Sequence, residues 1–201
     1  MTDRVEIGVI GGSGLYEMEG ARVVDTIDTD TPFGRPSDAI TVVEIGAQRV
    51  AFLPRHGHGH VYPPDAVPYR ANVYALRALG VRRLVAVNAV GSLVEEYAPG
   101  DLVLPDNLFD RTTGRPSSFF GPGVVGHVDF AEPFCPRLQS DLLSSDGHVD
   151  TRFHHSGTLV VIQGPRFSTR AESEFHRAAG FKLVGMTTLP EATLAREAAG
   201  P

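Results

Sequence analysis

Cysteine occurs once in this chain of 201 residues, at Cys135, and lysine once, at Lys182. Nowhere do roughly 20 apolar residues run together, the length a membrane-spanning helix needs. A lone cysteine closes no disulfide within the chain and suits a reducing compartment. The apolar stretch in MTDRVEIGVIGG is too short for a secretory signal, so a soluble, cytoplasmic protein with no membrane partner is expected. Acidic residues number 24 against 18 lysines and arginines, a formal net charge of -6. That balance argues against nucleic acid as a partner, while clustered arginines can still hold a small anion. At 42% hydrophobic residues, residues 1–201 are expected to form one domain with a core that needs no staples.

The apolar residues fall in short runs that stop at glycine-rich or polar turns. Residues 5–10 read as a buried strand entering Gly11-Gly12-Ser13-Gly14. Residues 40–45 and 49–53 are rich in β-branched side chains around Gly46-Ala47 and read as a hairpin. Residues 72–79 carry helical spacing with Gly80 placed as a cap. Strands are expected at 83–88, 101–104, 158–163 and 183–186, with helices at 169–179 and from about Pro190, where proline suits a first turn. Strands alternating with helices predict an α/β fold, a three-layer sandwich around a central mixed β-sheet.

Two features of this layout concern function. Several strands end in small, polar or charged residues, namely Ser13, Arg55, Asn88 and Thr187, and open α/β sheets bind ligands beyond the carboxyl ends of their strands. Residues 110–132 form a long loop-like stretch containing Phe119, Phe120 and Phe130, and such loops are usually functional or lie at an interface. Each motif admits two readings. Gly11-Gly12-Ser13-Gly14 is either an anion-binding nest of N–H groups or a plain tight turn. In PRHGHGH, residues 54–60, three histidines at alternate positions would share one face of a strand and suit a metal. Arg55 argues instead for an anion, held by a bidentate fork, and Gly57 and Gly59 favour a loop. Thr187-Thr188, Met186 and the turn at 163–167 are either ordinary structure or contributions to the same pocket.

Together, IGVIGGSGLYE, TPFGRPSD, LPRHGHGHVYPP, YRANVYALRALGV, NAVGSL, PGDLVLPDNLFDRT, AEPFCP, VVIQGPRFSTRAE and MTTLPEATLARE resemble the purine nucleoside phosphorylase superfamily, most closely its 5'-methylthioadenosine phosphorylase branch. The resemblance covers nearly the whole chain in order. It implies a homotrimer that cleaves a purine nucleoside with phosphate and uses no metal or organic cofactor. Ser13, Arg55, His56, Asn88, Ala89 and Thr187 match the family's phosphate-binding positions. Met186 matches a residue under the ribose, and Phe167 the aromatic beside the purine. His127 matches a histidine that a neighbouring subunit places near the 5' substituent. His60 is left to a supporting role.

The chemistry suits these residue types. Phosphate must attack an anomeric carbon that gains oxocarbenium character as the glycosidic bond stretches. Neutral hydroxyls, N–H groups and one arginine orient phosphate without cancelling the charge that stabilises the transition state. The departing purine needs an acid. The resemblance places that acid on a further strand followed by a C-terminal helix, beyond the last residues of this sequence, so no catalytic residue is assigned among 1–201. Gln163 stands where the 5'-methylthioadenosine branch more often has an acidic residue. A 6-oxopurine nucleoside or methylthioinosine is therefore the alternative substrate, and an inactive phosphate- or nucleoside-binding subunit the alternative function.

Overall fold

The computed structural model describes residues 5–12, 20–145 and 151–199. Strands β1 (Ile7–Gly11), β2 (Ala21–Ile27), β3 (Ile40–Ile45) and β4 (Gln48–Pro54) come first, followed by helix α1 (Tyr69–Leu79) and strand β5 (Arg83–Ala86). These strands form a five-stranded sheet in the order β2-β3-β4-β1-β5. β3 and β4 make the expected hairpin, pairing Ile45 with Gln48 around Gly46. β1 lies parallel between β4 and β5. Side chains alternate across this sheet, as the two-residue period of a strand requires. Val42, Ala51 and Leu53 join Ile10 and Val73, Leu76 and Leu194 on one face. Val43, Val50 and Phe52 form a smaller cluster on the other.

The chain continues through two short strands, β6 (Gly91–Ser92) and β7 (Leu102–Val103), then β8 (Asn107–Arg111), helix α2 (Pro136–Leu143) and β9 (Phe153–His154). It ends in β10 (Thr158–Ile162), helix α3 (Arg170–Ala178), β11 (Leu183–Gly185) and helix α4 (Thr188–Ala199). The second sheet has the order β6-β11-β10-β8, and β7 pairs with β9 separately. Residues 87–90 carry the chain from the first sheet to the second. The mixed α/β architecture is as expected, its strands distributed over a five-stranded and a four-stranded mixed sheet.

Local chemistry sets the element ends. Gly80 closes α1 in the left-handed region, with φ 109°, as its position predicts. Thr169 caps α3: its hydroxyl accepts from the Glu172 N–H while the Glu172 carboxylate accepts from the Thr169 N–H, a reciprocal capping box. In α4 the backbone is extended at Leu189, so the regular helix starts at Pro190 as predicted. Five elements were not anticipated. β2 and β8 show too many exposed polar residues for a clear strand pattern, β6 and β9 have only two residues each, and α2 buries no residue fully.

Leu194 is fully buried between α1 and the first sheet. Leu194→Ala is expected to lower stability by about 2–5 kcal/mol through lost burial and the cavity left behind. Urea denaturation checks this, and a loss below about 1 kcal/mol would place Leu194 outside the core.

Candidate functional site

Of the residues singled out at strand ends, Arg55, Asn88 and Thr187 come together where β4, β5 and β11 stop. β1 and β4 run in parallel register, pairing Gly11 with Pro54. The Arg55 N–H then donates to the Gly11 carbonyl at 2.8 Å, so the chain turns inward. Arg55 is 2% exposed. Its Nε donates to Glu191 Oε1 at 2.6 Å and its Nη2 to Oε2 at 2.9 Å. Nη1 donates to the Val87 carbonyl and Nη2 also to that of Ile10. Of five guanidinium N–H groups, one on Nη1 remains. The bidentate fork anticipated for phosphate is therefore occupied by Glu191. The reason is electrostatic: a buried guanidinium needs a carboxylate and carbonyls around it.

Residues 55–60 form turns, not a strand, with Gly57 and Gly59 at φ 71° and 74°. The three histidines consequently do not share a face. A side chain on Gly57 would meet the Ser37 carbonyl at 2.8 Å, and Ser37 is itself fixed by its hydroxyl donating to Pro54 O and its N–H to Asn72 Oδ1. His56 Nδ1 lies 2.7 Å from the Tyr62 carbonyl. That contact places the proton on Nδ1 and leaves Nε2 as an acceptor in the neutral ring. Burial pushes the His56 pKa below its usual 6.5. The ring stacks on exposed His60 with centroids 4.2 Å apart, while His58 is exposed. Among the described residues no three His, Cys, Asp or Glu side chains gather as metal ligands.

Asn88 and Thr187, 99 positions apart, meet directly. The Thr187 hydroxyl donates to Asn88 Oδ1 at 2.7 Å, and Asn88 Nδ2 donates to the Ala86 carbonyl. Ala89 is exposed beside them. Met186 precedes Thr187 and packs on Gly164, where a Cβ would lie 2.7 Å from its sulfur; φ is 66° there as well, so only glycine suits the position. Phe167 is 84% exposed, on a loop held to the first turn of α3 by the bidentate Arg166–Glu172 pair. His127 is exposed. Among the described residues neither Phe167 nor His127 makes a ring contact with the cluster. Ser13 lies outside the described residues.

Sequence reasoning missed two charged residues. Glu191 follows Pro190 in a stretch marked only as a helix start, and burial of an acid there leaves no local signal. Arg115 belongs to the long segment flagged for function. Its Nη1 donates to the carbonyls of Met186 and Leu189, both at 2.7 Å, and Nη2 to that of Gln163 at 2.6 Å. Gln163 Oε1 accepts from the Thr113 N–H, so this side chain braces the loop. A cavity of about 350 Å3 lies beside the cluster, between β5, α2 and α4. Leu84, Leu138 and Ala195 line it and Asn88 stands at its edge. The strand ends around buried Arg55 thus carry a hydroxyl, an amide and an imidazole, groups able to recognise an oxyanion.

A family model described as the phosphorylase superfamily matches residues 6–201. S-methyl-5'-thioadenosine phosphorylase of Chloroflexus aurantiacus is 57% identical over 193 residues, covering 96% of this chain and 67% of that protein. The crystal structure of a methylthioadenosine phosphorylase from an antarctic soil metagenomic library superposes with a TM-score of 0.92 at 48% identity. It spans 98% of this chain and 69% of its own. A methylthioadenosine phosphorylase from Schistosoma mansoni in complex with adenine gives a TM-score of 0.90 at 40% identity, over 97% of this chain and 75% of its own.

Two outcomes follow from the geometry. Glu191→Gln leaves a buried guanidinium unbalanced and is expected to cost about 3–5 kcal/mol. Joining it to Arg55→Met should restore most of that loss, and urea denaturation of the three variants measures it. The second concerns acid. With its folded pKa below 6.5, His56 stabilises the fold fully above that pH, and the contribution declines as pH falls through it. The Tm difference between wild type and His56→Gln should therefore shrink on acidification below pH 6.5. A constant difference would contradict the assignment.

Proposed function

This chain belongs to the phosphorylase superfamily, and from that membership we propose that it cleaves the N-glycosidic bond of 5'-methylthioadenosine with inorganic phosphate, releasing adenine and 5-methylthioribose 1-phosphate. The structural observation that carries the reading is the Thr187–Asn88 contact at the strand ends, next to the Val87 carbonyl that buried Arg55 holds. The 57% identity to a phosphorylase named for this nucleoside supports the substrate, and the relative solved with adenine supports a 6-amino purine.

In this reading Ser13, Arg55, His56, Asn88, Ala89 and Thr187 bind phosphate. Arg55 gives one N–H and a fixed positive charge, not a fork. The Thr187 hydroxyl turns from Asn88 Oδ1 to donate its one hydrogen to the anion, the Asn88 amide orients it through its second Nδ2 hydrogen, and His56 offers Nε2 toward a protonated phosphate oxygen. Few donors are charged, so phosphate keeps enough negative charge to stabilise a cationic sugar as the base departs. Met186 lies under the ribose, Phe167 beside the purine, and His127 serves the 5' substituent of a neighbouring subunit. Two substrates held in line remove entropy from the barrier. The exposure of Phe167 and His127 fits residues that a homotrimer or bound nucleoside covers. Residues 1–201 act as a single phosphorylase domain. The protein is cytoplasmic, with phosphate as co-substrate and no metal or organic cofactor.

Purified protein given methylthioadenosine or inosine, with and without phosphate, should release adenine only when phosphate is present and act on inosine far more slowly. Base release without phosphate would mean hydrolysis. Thr187→Val keeps the shape and removes the donor. It should raise the phosphate KM about tenfold, the equivalent of one lost hydrogen bond to a charged group, while the nucleoside KM changes less.

A further inference from the structure

Two buried guanidiniums stand near the strand ends, Arg55 at 2% and Arg115 at 9% exposure, and one buried carboxylate, Glu191 at 1%, stands with them. Glu191 is committed to Arg55 through both oxygens. Arg115 makes no ion pair among the described residues. Its partners are the Gln163, Met186 and Leu189 carbonyls and, at 3.3 Å, the Tyr69 hydroxyl. Its Nε is buried without a partner. Arginine does not deprotonate in a protein, so the cluster holds one unbalanced positive charge. Burying such a charge is costly, and donating to three carbonyls does not itself call for a cation.

The placement of those carbonyls matters. Met186 and Leu189 bracket Thr187, whose hydroxyl meets Asn88. Gln163 begins the turn that leads to Phe167. One planar guanidinium thus ties together two segments that carry candidate ligands. It reaches them from residues 112–120, a segment with no regular structure of its own.

We propose that Arg115 is a positioning residue of the phosphate site: its guanidinium sets the Met186–Leu189 turn so that the Thr187 hydroxyl meets Asn88, and it supplies the excess positive charge that a bound anion neutralises. The inference rests on the phosphate-site reading and deepens it. Arg115 acts through the turn and through its field, without touching the substrate.

Arg115→Lys and Arg115→Gln separate the two contributions. Lysine keeps the charge and loses the planar fork; glutamine keeps an N–H donor to a carbonyl and loses the charge. Calorimetric titration with inorganic phosphate on folded protein should show binding weakened about threefold in the lysine variant and at least about tenfold in the glutamine variant. Affinity for methylthioadenosine alone should change less. A purely structural role would lower Tm and the folded fraction and leave the phosphate Kd of the folded molecules unchanged, which would overturn the proposal. Wild-type protein that binds no phosphate would overturn the site reading together with it. Phosphate binding by wild type with equal affinity in the glutamine variant would overturn the role of Arg115 alone. Should both variants fail to fold, wild-type crystals soaked in phosphate decide the matter. The anion should be hydrogen-bonded to Thr187 Oγ1, and an anion bound elsewhere would refute the proposal.

Discussion

The bidentate contact between Arg55 and Glu191 ties helix α4 to the strand ends of the first sheet. Arg55 follows β4, its guanidinium also reaches the carbonyls of Ile10 in β1 and Val87 just after β5, and Glu191 lies in the first turn of α4. Three parallel strand ends and one helix thereby meet at a single buried charge pair. Removing either partner leaves the other charged in an apolar surround, which makes the pair obligatory once present, whatever its net worth against an apolar substitute. The candidate ligands Asn88, Thr187 and His56 are all anchored within a few residues of these four elements, so the pair sets their spacing.

How much of this was legible in the sequence depended on how local the signal was. Gly80 as a helix stop, the hairpin about Gly46 and the strand at 158–162 each follow from neighbouring residues and appear as anticipated. The convergence of Arg55, Asn88 and Thr187 was legible too, because strands that end in polar residues open on one side of a sheet. What the sequence concealed depends on contacts far along the chain. The Arg55 fork faces Glu191, 136 positions away, and Arg115 answers carbonyls 48 to 74 positions distant. Carbonyls exist at every residue and leave no mark in a sequence. The alternation of histidines over 56–60 misled for a related reason. A period of two implies a shared face only on a strand, and Gly57 and Gly59 with positive φ convert the segment to turns.

The division of labour among the basic residues fits the chemistry of phosphorolysis. Arg55 and Arg115 are buried and engaged with the protein's own carboxylate and carbonyls, while the residues beside them, Asn88, Thr187 and His56, are neutral. A phosphate held in this way feels an attractive field, yet few charged contacts neutralise it. It can therefore serve as both nucleophile and counter-ion for a developing oxocarbenium. A ring of surface lysines would bind phosphate as well in the ground state and blunt that second role.

The near-total use of arginine over lysine has a consequence for how the site behaves in different solutions. A guanidinium stays charged in a protein, whereas an ammonium can lose its proton when buried, and both buried cations here are arginines. The positive side of the pocket is thus a constant. Burial keeps the His56 imidazole neutral further into acid than a free histidine, and a phosphate guest brings an ionisation of its own. In the proposed phosphate site the guanidiniums are a fixed electrostatic reference, against which the ionisation of the guest and of His56 would be read.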